Sequence, residues 1–107
     1  MAVFYKVLIF CASLLGGELK YKLFEKTCVT NDVINLGIWA SLIIVGHSEG
    51  AARALYFLKG HFANQVQEIV NGGVNFIQFT NPTTYELGIK YTGSDPDTIS
   101  VIVLYVR

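Results

Sequence analysis

Gly46-His47-Ser48-Glu49-Gly50 is the stretch of this chain whose residue types and spacing can do chemistry. A serine with a glycine two residues to each side fits a sharp strand-to-helix turn that pushes the hydroxyl out at the top of a sheet, where it can act as a nucleophile. The glycines matter because neither carries the Cβ that would clash in so tight a turn. The hydroxyl attacks only when a base takes its proton and an acid orients that base. Two other readings use the same residues. Ser48 can cap a helix that begins near Glu49, whose carboxylate then sits at the positive end of the helix dipole. The backbone N–H groups of Glu49 and Gly50, with His47 beside them, can instead hold an anion or carboxylate at that helix start.

Periodicity gives the elements that must position this stretch. Val3 to Phe10 is apolar on nearly both faces, as a central strand is, and Leu14 to Gly17 offers a turn. In the next run, to Lys26, Leu19, Tyr21 and Leu23 fall on one face and Glu18, Lys20 and Lys22 on the other, which predicts a half-buried strand with a solvated basic edge. Thr30 and Asn31 are placed to cap a helix. Val33 to Val45 is ambiguous, with Ile34, Ile38 and Leu42 at helical spacing and Trp39 to Val45 resembling a buried strand.

From Glu49 the good helix formers Ala51, Ala52, Arg53, Ala54 and Leu55 predict a helix as far as Gly60. Phe62, Val66, Ile69 and Val70 predict a second helix, stopped by Asn71-Gly72-Gly73. Strands are expected over Val74 to Phe79, Thr84 to Tyr91 and Ile99 to Val106, with turns at Asn81-Pro82-Thr83 and from Thr92 to Asp97. The order β-β-α-α-β-β-β predicts a single α+β domain, a sandwich of about five mostly antiparallel strands with two or three helices on one face.

Residues 42–70, which begin Leu-Ile-Ile-Val-Gly-His-Ser-Glu-Gly-Ala-Ala, resemble the nucleophile region of the α/β-hydrolase family of lipases and esterases. The resemblance implies a strand, an elbow and then a helix. It makes Ser48 the nucleophile and the Glu49 amide one oxyanion donor, with His47 as a further candidate catalytic residue and a small ester as the substrate.

The remaining chemistry is thin. The hydrolase order of serine, acid, histidine finds only His61 downstream of Ser48 and only Glu49 between them. Cys11 and Cys28 form no metal-ligand pattern, and a hairpin between the first two strands holds them too far apart for a disulfide. His47 and His61 are not spaced as a metal pair, and Asp95 and Asp97 flank Pro96 in a turn where aspartates bond their own backbone. No cofactor or metal is implied.

With eight basic and eight acidic residues the formal net charge is zero, which argues against nucleic acid as a partner. No apolar run reaches the ~20 residues of a membrane helix. At 52% hydrophobic, 13% aromatic and 15% charged, the chain has little charge to keep copies apart. The leading expectation is a soluble, non-catalytic domain that works through a protein partner or as a homo-oligomer, cytoplasmic rather than secreted. The alternative is a serine esterase built on Ser48. A small secreted toxin or effector is implied only if the N-terminus is a processed signal peptide.

Overall fold

The computed structural model describes residues 6–7, 17–37, 41–47, 50–60 and 62–106. They form eight strands: β1 (Leu19–Cys28), β2 (Val33–Gly37), β3 (Leu42–His47), β4 (Arg53–Leu58), β5 (Val66–Asn71), β6 (Ile77–Thr83), β7 (Glu86–Tyr91) and β8 (Asp97–Val106). Every pairing is antiparallel. One sheet has the order β1-β8-β3-β4-β5, the other β2-β7-β6. The last strand therefore lies inside the larger sheet, between the first and the third.

This corrects the expected α+β class and the α+β sandwich with helices on one face. The described helical turns are Lys6–Val7 and a 3-10 turn at Ala63–Gln65. The two predicted helices are strands β4 and β5, each held in a ladder with a neighbour. Val33 to Gly37 and Leu42 to His47 are also strands. The predicted strand over Val3 to Phe10 lies outside the described residues except for Lys6 and Val7, which are helical.

The polar residues expected to cap helices shape turns instead. Between β1 and β2, Asp32 Oδ2 accepts the Val29 N–H at 3.0 Å and the Thr30 hydroxyl donates to the Gly93 carbonyl at 2.6 Å. Asn31 takes φ 75°, a left-handed conformation that asparagine tolerates. After β5, the Asn71 Oδ1 accepts from the N–H groups of Gly73 at 3.0 Å and Val74 at 2.7 Å, and its Nδ2 donates to the Val74 carbonyl at 2.8 Å. That side chain turns the chain out of one sheet toward the other. Asn81 and Pro82, expected in a turn, belong to β6.

The core lies between the sheets. Ile43, Val45, Ile99, Val101 and Val103 from the larger sheet join Ile34, Leu36, Leu87 and Ile89 from the smaller in one buried cluster. Tyr56 meets Phe79 edge-on across it, with ring centroids 4.8 Å apart. Cys28 is buried and unpaired, and burial pushes its thiol pKa up, with the Lys26 charge a smaller opposing influence. Cys11 lies outside the described residues.

The smaller sheet turns a mostly polar outer face to water, with Asn35, Gln78, Glu86 and Lys90 on it beside Val33 and Pro82. There the Glu86 carboxylate accepts from Asn35 Nδ2 at 2.5 Å and from the Thr83 hydroxyl at 2.9 Å, and these bonds hold its pKa below the usual value. A depressed carboxylate contributes stability above its unfolded pKa and loses it as pH falls through the folded one. Glu86→Gln is therefore expected to flatten the acid limb of stability against pH, read from urea midpoints. An unchanged limb would mean that the two hydrogen bonds do not favour the charged form.

Candidate functional site

The last β3–β4 pair is Gly46 with Arg53, so β3 and β4 form a β-hairpin, and Gly50 to Ala52 are the described residues between His47 and Arg53. The Gly-x-Ser-x-Gly stretch thus leads into strand β4, where the elbow pattern expects a helix. Ser48 and Glu49 themselves lie outside the described residues.

Both glycines have packing reasons to be glycine. A Cβ on Gly46 would lie 2.7 Å from Arg53 Cδ and 2.8 Å from the Ala52 carbonyl oxygen; one on Gly50 would lie 2.9 Å from His47 Cβ. The Arg53 side chain folds back over this corner, its Nη1 donating to the carbonyls of Gly50 at 2.6 Å and Ala52 at 2.7 Å.

His47 is gathered into a cluster that the sequence does not announce. Its Nδ1 pairs with Asp97 Oδ2 at the start of β8, and its ring lies against Phe76 with centroids 4.1 Å apart. Asp97 Oδ1 also accepts the Thr98 N–H at 2.8 Å. The two side chains are 25% and 34% exposed, so the pair is at the rim of the core and not within it. From the sequence, Asp97 serves its own turn. Only the β3–β8 register, with His47 opposite Ile99, places it beside the histidine. Among the described residues no group of three or more metal-ligating side chains occurs.

Among the described residues, the outer face of the five-stranded sheet is apolar and exposed. The registers align Leu23, Ile102, Ile44, Leu55 and Val70 in one row across all five strands. Tyr21, Leu104, Leu42 and Phe57 form a second row beside it, ending at Gln67. Tyr21 is 69% exposed, Leu23 63% and Val70 59%. The face expected to bury Leu19, Tyr21 and Leu23 is thus the one open to solvent. The lysines of β1 share the inner face with Phe24 and Cys28, at an edge where Lys22 lies over the Tyr105 ring.

A third row, Glu25, Ser100, Gly46 and Arg53, bounds the apolar rows with one acid and one base. Two shallow depressions interrupt the surface, of about 240 Å³ beside Leu55 and Val70 and about 220 Å³ beside Leu23 and Ser100, and Arg53 borders both. Outward-facing rows of a β-sandwich are ordinarily polar, as those of the smaller sheet mostly are. Alternation read from the sequence does not find this face, because it leaves β3 and β4 apolar on both sides.

Among the described residues no helix is long and apolar enough to cross a membrane. No family model, curated protein or solved structure matches the chain.

Proposed function

We propose that this chain is a non-catalytic β-sandwich domain that self-associates through the outer face of its five-stranded sheet. The observation that carries the reading is the contrast between the two outer faces, one mostly polar with only Val33 and Pro82 apolar among its described residues, and one with two apolar rows running from strand to strand. Exposed contiguous apolar surface on this scale is the usual mark of an interaction surface. Zero net charge leaves no long-range repulsion between copies.

Sedimentation velocity over a rising concentration series tests it. The native chain is expected to move from monomer to a larger species, and the double variant Leu23→Lys, Phe57→Lys to stay monomeric with an unchanged circular dichroism spectrum. Association that survives the two lysines, or a native chain that stays monomeric throughout, would overturn the reading.

A second reading, a serine esterase on Ser48, is favoured by the His47–Asp97 pair. A carboxylate on Nδ1 sets the tautomer that leaves Nε2 as a base, which is the part of a triad that orients the histidine. Fluorophosphonate labelling of Ser48 that Asp97→Asn suppresses would support it. A folded protein without adduct would remove it.

A further inference from the structure

Resting on the self-association reading, we infer that two copies meet face to face about a two-fold axis running along β3, so that Arg53 of each copy engages Glu25 of the other. A two-fold contact between identical faces must place each residue against a fixed counterpart. For two stacked sheets there are two simple choices of axis, along the strands or across them.

An axis along the strands at β3, the middle of the five, lays β8 over the partner's β4 and β1 over its β5. Each cross-strand row then lies on its own copy. Arg53, one strand from the axis, comes over the position of Ser100 and beside that of Glu25, which is two strands from the axis on the other side. The lateral offset is one strand spacing, ~4.8 Å, and sheets pack ~10 Å apart, a gap that a glutamate and an arginine reaching from opposite sides can close. Two such pairs form, one for each copy. Ile44 meets itself on the axis.

An axis across the strands keeps each strand on its own copy and reverses the rows. With that axis midway between the two apolar rows, Arg53 lies beyond Phe57 at the far end of β4 and Glu25 lies on Leu19. Neither charge then meets an opposite one, and a carboxylate is set on leucine, which is unfavourable. The charges thus discriminate between the two arrangements.

Neither Glu25 nor Arg53 has an oppositely charged partner among the described residues, and both are exposed. Five strands ~4.8 Å apart and four same-face positions ~6.8 Å apart give a plan of roughly 600 Å² before side-chain relief is counted. A standard interface buries ~800 Å² per partner, so the face is of the right size for a second copy. Packed at an aligned angle, the two sheets would make a dry layer of the kind that already fills the domain between β3 and β7.

The test is sedimentation velocity at low salt on the native chain, Glu25→Arg, Arg53→Glu and the double reversal. Each single reversal is expected to weaken dimerisation by about tenfold or more, and the double reversal to recover most of it, because charge pairing across an interface is specific to its partner. Because Arg53 also braces its own loop, a second measurement leaves it intact. In a Cys11→Ser background, Ile44→Cys is expected to link to itself across the axis with a short bismaleimide, and Phe57→Cys is not; the buried Cys28 does not compete. If the reversals leave association unchanged, or if Phe57→Cys links to itself and Ile44→Cys does not, the arrangement is wrong. Self-association still stands in that case if Leu23→Lys, Phe57→Lys abolishes it. A native chain that is monomeric at every concentration removes both.

Discussion

Ile43→Ala is expected to lower the free energy of unfolding by about 2–5 kcal/mol, the range for deleting most of a buried aliphatic side chain. Leu23→Ala, which removes as much from a residue that hydropathy ranks beside it, is expected to change monomer stability by about 0.5 kcal/mol or less. The difference is one of face. Ile43 is 0% exposed on the inner side of β3, between Val103 on β8 and Tyr56 on β4, in the cluster shared with Leu87 and Ile89. Its loss leaves a cavity that strands hydrogen-bonded on both sides cannot close. Leu23 is 63% exposed on the outer side of an edge strand, and truncating it leaves no cavity. Urea unfolding of both variants at a concentration where the chain is monomeric separates the two terms. Equal costs would mean that the outer face is already covered in the monomer, which would also undercut its availability to a second copy.

Gly46→Ala is the second large effect, about 1–3 kcal/mol by the cost of forcing an extra carbon into a closed site. The new Cβ meets two obstacles of different kinds, the end of a flexible side chain at Arg53 and the backbone carbonyl of Ala52. Arg53 can swing away, at the loss of its bonds to Gly50 and Ala52. The carbonyl moves only if the hairpin loop opens. Measured in an Arg53→Ala background, Gly46→Ala should therefore still carry most of its cost. Full relief in that background would show that the arginine alone demands the glycine. Either way, the first glycine of the Gly-x-Ser-x-Gly stretch has a reason to be there that involves no catalysis.

The strands legible in the sequence are those with a partner face of opposite character. In β7, Leu87, Ile89 and Tyr91 are buried and alternate with Glu86 and Lys90. The continuous apolar run of β8 announces a central position, and it has one. β4 passes for a helix because both of its faces are apolar. Ala54, Tyr56 and Leu58 point inward, but Leu55 and Phe57 point outward and are also apolar, so no two-residue period is visible. What remains is the helix propensity of Ala51 to Leu55, a weak preference that ladders with β3 and β5 override. The apolar outer face that carries the functional proposal is thus the feature that conceals the fold.

Around the candidate site, His47 stands out through its neighbours in sequence. Its partner Asp97 does not, because fifty residues separate the two in the chain and only the pairing of β3 with β8 joins them. In β1 the alternation is right in period and wrong in direction: nothing in the residue types says that Tyr21 and Leu23, and not Lys20 and Lys22, look outward.

The position of β8 also governs the order in which the molecule can form. Among the described residues β1 is paired with β8 alone, along all ten residues from Leu19 opposite Val106 to Cys28 opposite Asp97, and β3 takes β8 as one of its two neighbours. As the chain leaves the ribosome, the β3–β4–β5 meander and the β6–β7 hairpin can assemble from local contacts. β1 waits unpaired until β8 emerges. Pairings this distant in sequence are slow to find, because loop closure must precede their reward. Completion of the larger sheet therefore waits for β8 to be made, and during the interval the apolar residues of β1 and β3 are exposed to other contacts.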